Sequence, residues 1–130
     1  MTLRDLTLGL IDFQDALGGQ YGLLSRPKLR LMVKLMQGPV RVSELAERLH
    51  ISSPAVSQMI DKLVGDGFVT RVAMEGDQRL VGVMLNPLGE EALAQALVAF
   101  QERVKLLMSR LSPEEQSTFT AIVLKLGQVT

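Results

Sequence analysis

Hydrogen-bonding chemistry in this sequence is concentrated between Ser52 and Lys62. The run SSPAVSQMIDK carries hydroxyls at Ser52, Ser53 and Ser57, an amide at Gln58, a methyl at Ala55 and an ammonium at Lys62. Such groups pair with donors and acceptors on a partner, and none is a nucleophile set beside a base. The rest of the chain offers catalysis little more. There is no cysteine, which removes disulfides, thiolate metal sites, a cysteine nucleophile and a thiol redox sensor. His50 is the one histidine, and a zinc site needs further His or Cys ligands. No glycine loop has the spacing that cradles phosphate. On the long helix, the close acid pair Glu90-Glu91 suits first-turn dipole compensation better than proton transfer. An enzyme is therefore not expected, and neither a metal nor a cofactor.

The elements around that run follow from apolar spacing. Val42, Leu45, Ala46 and Leu49 recur at i, i+3, i+4 and i+7, which predicts a helix over 42–49. His50-Ile51-Ser52 forms a joint. Ser52 or Ser53 then caps a second helix reaching about Asp66, and Pro54 at a first helical position favours Ser53 as the cap. Its buried face is expected at Val56, Ile60 and Leu63, with Met59 and Val64 at the margins. Ser53, Ala55, Ser57, Gln58, Asp61 and Lys62 then face outward. Gly67 closes this helix. Phe68, Val69 and Val72, then Leu80, Val81, Val83 and Leu85, are strand-like runs flanking a polar turn, MEGDQR, from Met74 to Arg79. Two short helices at a tight joint, with a hairpin behind the second, read as a winged helix-turn-helix.

Further helices flank this module. Leu3, Leu6, Leu10, Phe13 and Leu17 predict one over 2–18, stopped by Gly18-Gly19 and followed by a loop, Gln20 to Leu24, that carries the only tyrosine, Tyr21. Ser25-Arg26-Pro27 starts another, continued by Leu29, Leu31, Met32, Leu35 and Met36 and ended by Gly38-Pro39. Asn86-Pro87 opens a long helix running to about Leu111, and Ser112-Pro113-Glu114-Glu115 is a capping box for a last one. The expected fold is mainly α with a small β-hairpin wing. It is one domain over 1–130, with the winged module at 26–86 and helices at 1–25 and 87–130.

The formal net charge is zero, but its distribution is uneven. Residues 26–85 hold nine bases against six acids, whereas 1–25 hold one base and three acids and 86–130 four and five. A modest basic excess thus falls on the winged module. Asp5, Asp12 and Asp15 interrupt the apolar residues of the first helix, unlike a signal peptide or a membrane span. A soluble cytoplasmic protein without membrane contact is the expectation.

Five pieces of the chain resemble, in order and spacing, the MarR family of bacterial transcription regulators. They are VSELAERLHIS, SPAVSQMIDKLVGDGFVTR, the wing turn GDQR, VGVMLNPLGEEAL and LSPEEQ. Three positions depart from the usual pattern. Arg41 stands where a capping Thr or Ser is common, Ala55 where Thr or Ser is usual, and Gln58 where many members have Arg.

The resemblance implies a homodimeric regulator, a repressor in the first instance, that binds double-stranded DNA at an inverted repeat. The helix from Ser52 or Ser53 would enter the major groove, its N-terminal side chains on base edges. Ser52, Ser53, Pro54, Ala55, Ser57 and Gln58 are the reading candidates; Gln58 can pair with adenine N6 and N7, and Ala55 can touch a thymine methyl. Arg41, Ser43 and Lys62 suit phosphate, and Arg71 at the wing's base suits either phosphate or a structural pairing. Asp77 and Arg79 match the wing's D-x-R, with Arg79 directed to the minor groove and Asp77 supporting it. The dimer would form from both chain ends, through Leu6, Leu10, Phe13, Leu107, Leu111, Phe119, Ile122 and Leu126. A small aromatic or anionic effector is a further implied partner, with Tyr21, Arg26, Met32 and Met36 as candidate lining, although core packing is the commoner use of methionine. The rival reading is a winged helix that contacts protein and not DNA, motivated by zero net charge and a non-cationic reading helix.

Overall fold

The computed structural model describes residues 1–74 and 76–127, with the backbone alone for 77–80. The chain forms two compact units, one from residues 20–97 and one from residues 1–19 with the C-terminal segment from 98 onward. The winged unit is therefore wider than the 26–86 expected from sequence. Tyr21 and Leu24 on one side, and Ala92, Leu93 and Ala96 on the other, are buried and belong to its core.

In the winged unit, β1 (Gln20–Tyr21) and β2 (Leu24–Ser25) pair antiparallel where a loop was expected. Gly22, at φ 59, supplies the left-handed turn residue between them. The hairpin leads directly into α2 (Arg26–Val33), with Ser25 as N-cap and Pro27 in the first turn. This helix is shorter than its apolar pattern suggested. From Lys34 the backbone tightens to i→i+3 bonds, such as Lys34 N to Leu31 O at 3.0 Å and Gly38 N to Leu35 O at 3.2 Å. Leu35 is still buried by that turn, so a helical spacing persists past the helix itself.

β3 (Val40–Arg41) was not expected, since two residues show no alternation. It pairs with Val83 and Gly82 of β5 (Asp77–Leu85), which also pairs with β4 (Val69–Met74), giving the antiparallel order β3-β5-β4. The wing's strands run further than the polar turn Met74 to Arg79 implied. Met74 already pairs with Asp77, and Gly76 at φ 89 meets the need for positive φ in a tight reversal.

α3 (Val42–Leu49) and α4 (Ser53–Gly65) have close to the bounds and the buried faces the apolar periods predicted, except that Val42 is half-buried. Leu45, Ala46 and Leu49 from α3, and Val56, Ile60 and Leu63 from α4, pack with Leu31, Met32 and Val83 in an aliphatic core. No polar or charged residue among those described is buried.

α5 (Pro87–Met108) begins in this unit and ends in the other, about 33 Å of helix at 1.5 Å per residue. Its start is fixed by Asn86, whose Oδ1 accepts from Gly89 N at 3.0 Å and whose N donates to Phe68 O at 3.1 Å. Gly89 lies so close to that corner that a Cβ there would fall 1.9 Å from the Phe68 carbonyl oxygen.

The second unit contains α1 (Leu3–Ala16), the end of α5, and α6 (Pro113–Leu126). Thr2 with Asp5, and Ser112 with Glu115, form capping boxes that start α1 and α6. Phe13 meets Phe119 edge to face at 5.7 Å between ring centroids, and Arg103 Nε donates to Ala16 O at 2.6 Å. Yet neither α1 nor α6 buries a single residue. Among the described residues no helix is long and apolar enough to cross a membrane.

Candidate nucleic-acid interface

The joint before α4 sets how that helix is presented. α3 ends with His50 at φ 56, the one non-glycine with positive φ among the described residues. His50 N bonds Glu47 O, and Ile51 N reaches back to Ala46 O, both at 3.2 Å. This is a Schellman closure, which reverses the chain within two residues. Ser52 (φ −69, ψ 153) follows as N-cap, its Oγ accepting from Ala55 N at 3.2 Å. The cap is thus Ser52 and not Ser53, with Pro54 at the second helical position. Any first-turn position tolerates proline, because no N–H there has a helical partner, so residue type alone did not separate the two serines.

The outward row of α4 matches the sequence reading in all but one residue. Ser53, Pro54, Ser57, Gln58, Asp61 and Lys62 are exposed, while Ala55 is half-buried. The side chains of Ser57 and Gln58 make no hydrogen bond among the described residues. Arg41 is exposed at the end of β3 and stands at the N-cap of α3 without a side-chain cap bond. Ser43 is exposed in the first turn, with Glu44 beside it as that turn's acid. Asp77 and Arg79 fall on the first residues of β5, and their side chains lie outside the described residues.

Three contacts between elements hold α3 and α4 in place. Lys28 Nζ meets Asp66 Oδ2 at 2.9 Å, tying the start of α2 to the C-cap of α4. Arg30 Nη2 donates to Leu49 O at 3.2 Å, satisfying a carbonyl at the end of α3. Arg71 of β4 pairs with Asp61 of α4, one of the two uses the sequence left open for it. No periodic signal joins such residues, because each pair bridges different elements.

The four effector candidates differ in exposure. Tyr21 and Met32 are 3% and 0% exposed, so they are core, as methionine's ordinary role suggested. Arg26 is half-buried at the first position of α2. Met36 alone is well exposed, and it lines an apolar groove of about 290 Å³ with Leu35, Pro39, Met84, Glu90 and Leu93. Among the described residues no three potential ligands cluster for a metal ion.

A capped helix with a free polar row, set by a tight joint against α3 and backed by an antiparallel hairpin, defines a winged helix-turn-helix protein. Residues 24–81 match the MarR family. The chain is 28% identical over 98 residues to the HTH-type transcriptional regulator YwhA of Bacillus subtilis (strain 168), covering 75% of this chain and 70% of that one. It is 26% identical over 103 residues to the HTH-type transcriptional repressor YetL of the same organism, covering 77% and 62%. A mutant MarR from E. coli, crystallised with operator DNA, shares the fold at a TM-score of 0.77 and 22% identity over 95% of this chain and 92% of that one. The match to the MarR family thus falls on the winged module, and the chain as a whole has the winged helix-turn-helix fold seen in MarR structures.

Proposed function

We propose that this protein is a sequence-specific double-stranded DNA-binding repressor that works as a homodimer on an inverted repeat in the cytoplasm. The observation that carries the reading is the free polar row of α4, Ser53, Ser57 and Gln58 with Lys62 beyond them, held outward by the Ser52 cap. A helix of this kind fits the major groove, and hydroxyl and amide groups near its start reach base edges. YetL is a repressor, and the E. coli protein of the same fold was captured on operator DNA. Both support the assignment.

The dimer reading rests on the apolar surface of the second unit. Leu6, Leu10, Ile122 and Leu126 are 50–65% exposed, and Phe13, Leu107, Leu111 and Phe119 are half-buried. Leu3, Ile11, Leu106 and Leu124 add to that surface and were not named as interface residues from sequence. So many exposed leucine and isoleucine side chains on one small unit suit an interface. Two copies would hold their α4 helices about 34 Å apart, one turn of DNA.

A gel shift on a pool of genomic fragments at low salt tests the function. Retention of a subset of duplexes carrying an inverted repeat is expected, and no retained duplex would sink the proposal. That second outcome would favour a winged helix that docks on protein, the reading motivated by the non-cationic reading helix and zero net charge.

A further inference from the structure

One contact beside the reading row has a use of its own if the chain binds DNA as proposed. Asp61 stands on the outward side of α4, one turn after Ser57, and its Oδ1 accepts a hydrogen bond from Arg71 Nη2 of β4. A carboxylate there carries two costs. It lies in the C-terminal half of α4, where the helix dipole disfavours an anion. It also lies on the side that would meet a polyanion. Stability does not offset these, since the side chains are 66% and 41% exposed and ion pairs so exposed contribute little.

What the pair does is geometric. The backbone of Arg71 is fixed by its register opposite Val83, and Asp61 draws the guanidinium against the outward side of α4. Among the described residues one N–H donor is engaged there, and a guanidinium has five, which leaves donors for a further acceptor. An arginine already held in this way gives up less side-chain freedom when it meets a phosphate.

We propose that Asp61 is a positioning residue for DNA binding. It holds Arg71 at the edge of the reading face so that the free donors of the guanidinium meet a backbone phosphate next to the bases contacted by Ser57 and Gln58. The structural pairing of Arg71 and a phosphate contact are then two parts of one device, because phosphate contacts fix the register on which base reading depends.

The test uses the full chain and a duplex recovered from the fragment pool, with affinity measured by fluorescence anisotropy across a salt series. Asp61→Ala is expected to weaken binding by about tenfold although it removes a negative charge, as loss of one charge-assisted contact does. Arg71→Ala should weaken binding similarly, and both variants should lower the salt slope by about one. The double variant should bind no more weakly than Arg71→Ala, since paired residues act as a unit. Glu47→Gln removes an exposed charge of the same sign from α3 and should bind at least as tightly as the parent. Should Asp61→Ala fail to fold by circular dichroism, Asp61→Asn replaces it, with the same direction expected. Asp61 variants that bind as tightly as the parent with an unchanged salt slope, or single losses that add in the double variant, would overturn the proposal. A parent that retains no duplex would instead overturn the DNA-binding reading.

Discussion

Replacing Gly89 with alanine sets two physical effects against each other, and the structure decides the sign. Alanine is the better helix former by about 1 kcal/mol, so propensity alone expects a more stable protein. The site does not permit it. A Cβ at position 89 would stand 1.9 Å from Phe68 O and 2.8 Å from Phe68 C, both backbone atoms that cannot swing aside. An ordinary carbon-to-oxygen contact is about 3.3 Å or more, so the first turn of α5 must retreat by over 1 Å. That retreat stretches the 3.1 Å bond from Asn86 N to the same carbonyl, worth about 1 kcal/mol. Overpacking in a close-packed region costs a further 1–3 kcal/mol or so. Against the propensity gain, the net is a loss of about 1–3 kcal/mol. Urea unfolding at one fixed protein concentration measures it, with the midpoint lowered and the slope unchanged. A midpoint at or above the parent's would refute the reasoning. Because Phe68 joins α4 to β4, the same variant should also loosen the wing's base and weaken DNA binding.

Gln58→Ala is expected to cost about 1–3 kcal/mol of discrimination at one base position while leaving the salt slope unchanged, which separates base reading from phosphate contact in a binding-site selection. Met32→Ala should destabilise by about 2–5 kcal/mol in urea, because Met32 is fully buried. Met36→Ala, at a site 53% exposed, should stay within about 0.5 kcal/mol; equal losses at the two would contradict their assignment to core and surface. Ile122→Glu lies on an exposed position of α6, so it should leave the fold intact while shifting the sedimenting mass from twice 14.3 kDa to 14.3 kDa. An unchanged mass would remove α6 from the interface.

Much of the winged unit was legible because its signals are local. Leu45, Ala46 and Leu49, and then Val56, Ile60 and Leu63, mark buried faces at helical spacing, and all six are buried. The closing residues Gly38, Gly67 and Gly76 take the positive φ that favours glycine. The outward polar row of α4 follows from the same period, which is why the candidate reading residues could be named in advance. The misses share a different cause. β1 and β2 are two residues each, too short for alternation, and β3 exists only because β5 lies alongside to receive it. Tyr21, Arg26, Met32 and Met36 sit near one another in sequence, but whether a side chain lines a groove or fills a core depends on what other elements cover it.

By itself, then, the sequence determined the element types, the stripe each helix buries, and the chemistry exposed on α4. Each is set by residues within a few turns of one another, where backbone geometry converts spacing into direction. Only the tertiary structure decided which serine caps α4, what Arg71 grips, and why position 89 is glycine. The cap follows from the left-handed turn at His50, the ion pair from β4 running back along α4, and the glycine from a carbonyl twenty-one residues earlier. Contacts between elements carry no period in sequence. They arise once the core has fixed where each element lies.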